Sequence, residues 1–317
     1  MKSWWQVTFP EGQKMLPVKS PQGEFHHLAY GERGEGHPII FLHGIGSWSY
    51  SWRRLIPVLA QRFRVIAFDA TGHGFSDKPS RWKITQLQQE LPQVIKALCD
   101  EPPTVIAQSL GGLVTLAAVI DYPEYFARLV LVNAAIFPEK LPSVSMRFLA
   151  KIPLSVVKEI DDSRLVKPLA PIVREIVRFV RQEVVTSPDL SRYEDVYALT
   201  YPFIENPGAI AHFTRTLQQA AREIECLEKQ QPNLISYVQD HLQDILCPTL
   251  ILWGDNDRWF PLQHGKKLQQ HLLNSRLEIL ENCGHDAIAC ASEQIESKVV
   301  KFLEEEVTPP ASIVTGL

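Results

Sequence analysis

Short apolar, β-branched runs alternate with longer stretches of helical periodicity along most of this chain, and no other feature constrains the fold more. Strands joined through helices pair in parallel, and the helices then cover both faces of the sheet. Strand candidates are Glu24 to Gly31, Pro38 to Gly44, Phe63 to Asp69 and Thr104 to Ser109. Three more follow: Ala127 to Asn133, Pro248 to Gly254 and Arg276 to Asn282. Several are apolar nearly throughout, as strands buried on both faces must be. Helical patterns run over Ser51 to Gln61, Ile84 to Cys99, Leu110 to Tyr122, Pro261 to Leu273 and Ser292 to Glu305. The expected architecture is α/β, with a mostly parallel central sheet flanked by helices.

The alternation breaks once. From about Ile136 to Leu246 no convincing strand occurs, only helical periods punctuated by Pro168, Pro171, Pro188, Pro202 and Pro207, which mark helix boundaries. Pro171 to Val185 places apolar residues at helical spacing with Arg and Glu on the other side. The expected organisation is a core of residues 1–135 and 246–308, an all-helical cap of residues 136–245 inserted between two strands, and a loose tail at 309–317.

Composition removes some functions. The 317 residues are 45% hydrophobic and 21% charged, enough for a core that needs neither metal nor disulfide. A net charge of −4 argues against nucleic acid as a partner. The five cysteines, Cys99, Cys226, Cys247, Cys283 and Cys290, form no C-x-x-C pair, so neither a zinc site nor a disulfide framework is expected. The first residues hold no apolar run of signal-peptide length, and no stretch approaches a membrane span. The chain is read as cytoplasmic, with peripheral membrane contact left open and no signal for oligomeric state.

The segment Ala107-Gln108-Ser109-Leu110-Gly111-Gly112 follows a strand and opens a helix. A serine on so sharp a turn has its hydroxyl pushed out of the sheet, and only small neighbours fit around it. Ala107 stands where the G-x-S-x-G pattern has its first glycine. Leu110 then offers a backbone N–H where an oxyanion would form. Taken alone, the segment fits equally a serine that N-caps an ordinary helix.

Three further segments break that tie, and with the serine turn they resemble the α/β-hydrolase family over most of the chain outside the expected cap. FLHGIGSWSYSW (Phe41 to Trp52) resembles the family's His-Gly loop. The resemblance implies that the Ile45 N–H is the second oxyanion donor, while Gly44 and Gly46 leave room for a carbonyl. FDATGHGFSDKP (Phe68 to Pro79) resembles the D-x-x-G-x-G-x-S loop, in which Asp69 and Ser76 tie the backbone down. PTLILWGDNDRWFP (Pro248 to Pro261) and ENCGHDAIA (Glu281 to Ala289) supply the acid and the histidine in the order this fold demands. Asp257 stands at the family's place for the acid, Asp255 is read as capping its own turn, and His285 follows the last strand. Asn133 occupies the alternative acid position of some relatives, but an amide cannot stabilise an imidazolium.

The remaining histidines take plainer readings. His43 is expected to pack beneath the oxyanion loop and His73 to have a minor role near the site mouth. His26, His27, His37, His212, His241, His264 and His271 are expected on the surface without partners. No pair stands at zinc-ligand spacing. A dinucleotide site built on Gly44, Gly46 and Asp69 lacks its third glycine, since Ser49 stands there.

The resemblance therefore implies a serine hydrolase with Ser109 as nucleophile, His285 as base and Asp257 orienting it, working without cofactor or metal. Epoxide and haloalkane hydrolases of the fold use a carboxylate at the elbow, whereas serine suits attack at a carbonyl. The leading substrate is a hydrophobic carboxylic ester. Thioester or lactone cleavage, C–C bond hydrolysis beside a ketone, acyl transfer, and a receptor retaining the triad remain alternatives. The cap residues Phe148, Leu149, Ile152, Val156, Val157, Phe179, Tyr197, Phe203 and Phe213 are candidates both for the wall of a greasy pocket and for cap core.

Overall fold

All seven expected strand segments form strands, and an eighth precedes them. The computed structural model describes residues 3–305, so the expected tail at 309–317 lies outside them. In chain order the strands are β1 (Lys14–Lys19), β2 (Phe25–Arg33), β3 (Pro38–Leu42), β4 (Arg64–Phe68), β5 (Thr104–Gln108), β6 (Arg128–Val132), β7 (Thr249–Gly254) and β8 (Ser275–Leu280). They make one sheet in the order β1-β2-β4-β3-β5-β6-β7-β8. The first two pairings, β1 with β2 and β2 with β4, are antiparallel, and all the others are parallel. The unexpected β1 is an edge strand whose sequence, KMLPVK, carries a proline and buries only Val18. Proline is tolerated at an edge, and such a strand has no apolar face strong enough to show in the sequence.

The central strands bury both faces because successive side chains point to opposite sides. Ile40, Leu42, Val105, Ala107, Leu129 and Leu131 belong to one core; Ile39, Phe41, Ile106, Val130 and Val132 belong to the other. Among the described residues twelve α-helices accompany the sheet. The first four are α1 (Trp4–Thr8), α2 (Ile56–Leu59), α3 (Leu87–Leu98) and α4 (Leu110–Asp121). The expected helix over Ser51 to Gln61 is broken into a 3-10 turn at Ser49–Trp52 and the short α2, which has proline in its first turn.

Between β6 and β7 the described chain is helical throughout: α5 (Val144–Leu149), α6 (Leu154–Asp162), α7 (Ala170–Val180), α8 (Tyr193–Glu205), α9 (Ala209–Glu228) and α10 (Leu234–Asp240). After β7 come α11 (Leu262–His271) and, beyond β8, α12 (Ala287–Glu304). Helix α12 is kinked at Ala291, where φ is −139°, so the helix expected from Ser292 is preceded by one short turn that Asp286 caps, its side chain accepting from Ala289 N at 3.2 Å. No helix among the described residues is long and apolar enough to cross a membrane.

Parallel strands of matched register end side by side, so the loops after β5, β6, β7 and β8 emerge along one edge of the sheet. Two of these loops touch at Gly254, where an added Cβ would lie 2.3 Å from the Cys283 carbonyl oxygen and 2.9 Å from that of Gly284. Both neighbours are backbone, so the loops have to separate to admit a methyl group. Gly254→Ala is expected to cost about 1–3 kcal/mol of stability, as overpacked sites do. Chemical denaturation reads this directly, and an unchanged midpoint would show that the two loops do not depend on this contact.

Candidate active site

Ser109 sits between β5 and α4 with φ 54° and ψ −119°, a conformation a side-chain-bearing residue adopts only when its surroundings impose it. The constraint comes from small neighbours. An added Cβ on Gly111 would lie 2.7 Å from the carbonyl oxygens of both Leu42 and His43, and one on Gly112 would lie 2.6 Å from Ala134 Cβ. Helix α4 can therefore start hard against the ends of β3 and β6. Although Ser109 occupies the N-cap position, its side chain caps nothing. Its Oγ lies instead 3.0 Å from His285 Nε2.

His285 Nδ1 stands 2.8 Å from Asp257 Oδ2, and the Asp257 side chain is fully buried. The other carboxylate oxygen, Oδ1, accepts the backbone N–H groups of Trp259 at 2.8 Å and Phe260 at 2.9 Å. Acceptor geometry thus fixes the carboxylate from one side and leaves the other oxygen for the imidazole. The rings of Trp259 and Phe260 flank that imidazole, with centroids 4.8 Å and 5.3 Å away. Asp255 serves a different purpose: its Oδ1 accepts from Cys283 N at 2.9 Å and its Oδ2 from Asn282 N at 3.1 Å. It ties the loop bearing His285 to the end of β7, rather than capping its own turn.

Ile45 and Leu110 both border the cavity that opens over Ser109. The Leu110 N–H is among the first of α4, where a helix has no acceptor of its own. Gly44 brings the Ile45 loop close, since an added Cβ there would sit 3.0 Å from Ser109 Cβ. Gly46 has φ 68° and faces Phe213, which leaves no room for a side chain.

Sequence reasoning did not find the groups that hold this constellation together. Asn133, at φ 45° just past β6, accepts from Gly254 N at 2.9 Å through its amide oxygen. Its Nδ2 donates to the carbonyls of Gly284 and His285, each at 3.0 Å. Gln108 Nε2 donates to the same His285 carbonyl at 2.9 Å. Arg181, just past α7, pairs with Asp286 at 2.6 Å. Burial pushes the Asp286 carboxyl up, but the Arg181 and Arg53 guanidiniums outweigh it and hold the group below its usual range. An asparagine ending a strand was the available signal for Asn133, whereas the Arg181 pairing spans 105 residues and left none.

Several expectations for the histidines need correction. His212 is buried rather than on the surface, and neither ring nitrogen has a partner among the described residues. Burial, together with the neighbouring His73, holds its pKa down at about 2, so the ring stays neutral and behaves as an aromatic packed against Trp82. His26, His27 and His37 each have a side-chain partner, respectively Thr71, Asp77 and Glu101. His73 is buried beside His43 rather than near an opening. His43 joins the Gly44 carbonyl to the Ala70 N–H beneath the loop. Asp69 accepts from Ser49 and Phe75, while Ser76 accepts from Ala29 N.

The cavity above Ser109, counted together with the open solvent at its mouth, has about 620 Å³ of free space. Its walls are Leu113, Leu141, Pro142, Met146, Ala220, Ile224, Leu234, Ile235, Trp259 and Phe260, with Lys140 and Glu223 the only charged residues. None of the nine cap residues expected as candidate wall contributes to it. Phe148 and Phe179, at 67% and 73% exposure, point away into solvent.

The sheet and its helical crossovers, together with a match of the family profile across residues 37–289, define the class: the chain belongs to the alpha/beta hydrolase fold family. Among individual proteins it is similar to 2-hydroxy-6-oxo-6-phenylhexa-2,4-dienoate hydrolase of Comamonas testosteroni, 26% identical over 292 residues that cover 88% of this chain and 91% of that one. It is likewise similar to epoxide hydrolase 4 of Mus musculus, 26% identical over 305 residues covering 91% and 79% of the two chains. Among solved structures, a meta-cleavage product hydrolase from Pseudomonas fluorescens superposes with a TM-score of 0.70 at 21% identity, over 91% of this chain and 97% of that one.

Asn133→Ala would leave the Gly254 N–H and the Gly284 carbonyl without their side-chain partner, while the His285 carbonyl keeps Gln108, at about 1–3 kcal/mol for each group that finds no water. The expected result is a lower unfolding free energy together with a fall in turnover, because the His285 loop loses one of its three side-chain clips. Full activity in a fully stable variant would show that Gln108 and Asp255 suffice.

Proposed function

We propose that this chain is a serine hydrolase that cleaves a carboxylic ester bearing an apolar acyl or alcohol group, through an acyl-enzyme on Ser109. The observation that carries this reading is the buried relay from Ser109 Oγ through His285 to Asp257, at 3.0 Å and 2.8 Å, opening into an apolar cavity. His285 Nε2 takes the hydroxyl proton as Oγ attacks the carbonyl, and Asp257 holds the Nδ1–H tautomer and balances the imidazolium charge. The N–H groups of Ile45 and Leu110 receive the oxyanion, each such donor contributing about 3 kcal/mol at the transition state. The protonated imidazole then gives its proton to the leaving oxygen. Water, deprotonated by the same histidine, releases the acid and restores Ser109. In this reading residues 136–245 act as a cap, with α5, α9 and α10 roofing the cavity.

The names of the relatives point elsewhere, to epoxides and to C–C bonds. Ser109 opening an epoxide would leave an ether, which water does not cleave under these conditions, whereas a carbonyl substrate leaves a hydrolysable ester. The C–C reading is the more serious second one, because it uses the same serine, base and oxyanion donors. Its dienoate substrates carry a carboxylate, and burying that charge requires a cation beside it. Among the described residues Lys140, which is exposed, is the one cation in the cavity wall, and the surfaces next to Ser109 are apolar.

Ser109→Ala should abolish hydrolysis of p-nitrophenyl esters without changing stability, and a fluorophosphonate probe should label the unmodified chain at Ser109 alone. Undiminished turnover in the variant would reject the nucleophile. Asp257→Asn should lower kcat by about four orders of magnitude through the wrong imidazole tautomer, while Asp255→Asn should act on stability. The reverse pattern would exchange their roles.

The substrate class is read from a series of p-nitrophenyl esters from acetate to dodecanoate. Each methylene buried in the transition state is worth up to about 0.8 kcal/mol, roughly fourfold in kcat/KM, until the cavity is full. A steady fall from acetate would overturn the apolar-ester reading. Turnover of a dienoic ketone acid in place of every ester would establish the C–C reading.

A further inference from the structure

Helix α7 is apolar on two sides. Ile172, Ile176 and Phe179 lie at helical spacing on one ridge and are 60%, 58% and 73% exposed. On its other side α7 buries Ala170 and half-buries Val173, Val177 and Val180, and it also buries Arg174, whose guanidinium sits 4.0 Å from the centre of the Tyr197 ring on α8. An amphipathic helix ordinarily keeps its apolar residues on one buried side, so the second ridge stands without a partner among the described residues. The same pattern recurs on α5, where Met146 borders the cavity while Val144 and Phe148 are each 67% exposed.

Charge selects the occupant. From Val144 to Arg181 there are eight basic and four acidic residues, in a chain whose net charge is −4. Arg174 is buried, and Lys167, Arg178 and Arg181 pair with Glu205, Glu175 and Asp286. Arg147, Lys151, Lys158 and Arg164 have no acidic partner among the described residues and outnumber the exposed Glu159 and Asp162. The exposed apolar ridges therefore lie on a positively charged stretch of a protein that is acidic elsewhere. A second copy of the chain docking there would bring like charges together. A polyanion alone would satisfy the lysines and arginines but leave the aliphatic and aromatic ridge in water. A bilayer carrying anionic headgroups answers both, with charge at its surface and hydrocarbon just beneath.

We propose that the outer surface of α5 to α7 docks onto anionic lipid bilayers, which places the cavity wall formed by α5 next to the membrane. This goes beyond the esterase reading and does not depend on it, because docking needs no reaction at Ser109. Insertion is shallow: the ridges are single helix faces, so the chain lies on the lipid rather than in it.

The experiment is co-sedimentation of the full chain with vesicles of phosphatidylcholine, and with vesicles of equal parts phosphatidylcholine and phosphatidylglycerol. The chain should pellet with the second and not with the first, and release should follow when salt rises from about 0.1 M to about 0.5 M, which shortens the screening length. Combined Ile172→Ser, Ile176→Ser and Phe179→Ser substitutions should lower the bound fraction about tenfold, as removing buried apolar area does. Lys151→Glu with Lys158→Glu, two exposed sites with little effect on folding, should do the same. Both variants should keep the activity of the parent chain on a soluble short ester, and Ser109→Ala should bind vesicles as the parent does. Failure of the parent chain to pellet, or pelleting that both variants leave unchanged, would overturn the proposal. So would light scattering that shows a dimer of the parent chain and a monomer of the serine variant, which would assign the ridge to self-association.

Discussion

Three backbone groups from two separate loops meet on one amide, that of Asn133, and the rest of the candidate site depends on that meeting. Its oxygen fixes the end of β7, from which Asp257 departs, and its nitrogen fixes the loop that carries His285. The amide itself belongs to the residue after β6, next to the strand whose end bears Ser109. Backbone polar groups at strand ends have lost their ladder partners and must find others. Here they find a single side chain, so satisfying them and aligning the three candidate residues become the same event.

Much of the sheet was legible because buried parallel strands announce themselves as continuous apolar runs, and Pro38 to Gly44 or Thr104 to Ser109 could hardly be anything else. The edge strand β1 was not, since it has one buried side chain and a proline. The site residues were legible for a related reason. Ser109 needs small residues around it, Asp257 and His285 need strand ends before them, and local sequence records both requirements. The supports were harder. Asp255 was recognised as structural but given the wrong partner, because its bonds reach Asn282 and Cys283 rather than its own turn. His212 looked like a surface residue on an amphipathic helix, and only the packing of α9 against Trp82 shows why an imidazole is buried there uncharged.

The inserted helices show where apolarity stops being informative. Periodicity located α7, with its apolar ridge, but could not say which way the ridge faced. Arg174 decides the matter: it is seated over Tyr197, turning Phe179 outward. The cavity wall came instead from Met146, Ile224 and Ile235, along with core residues such as Leu113 and Phe260. None of these stands out in sequence, because a side chain that lines a cavity and one that fills a core obey the same chemistry.

The division between these two sets of residues has a consequence for how such a chain can change over generations. The relay and its clips arise from the loops after β5, β6, β7 and β8, whereas much of the cavity wall arises from α5, α9 and α10. A substitution at Met146, Ile224 or Ile235 alters the shape offered to a molecule without touching a hydrogen bond of Asn133, Asp255 or Asp257. Selection for a new diet therefore has a territory of its own, and mutations that explore it carry little risk to the machinery they serve.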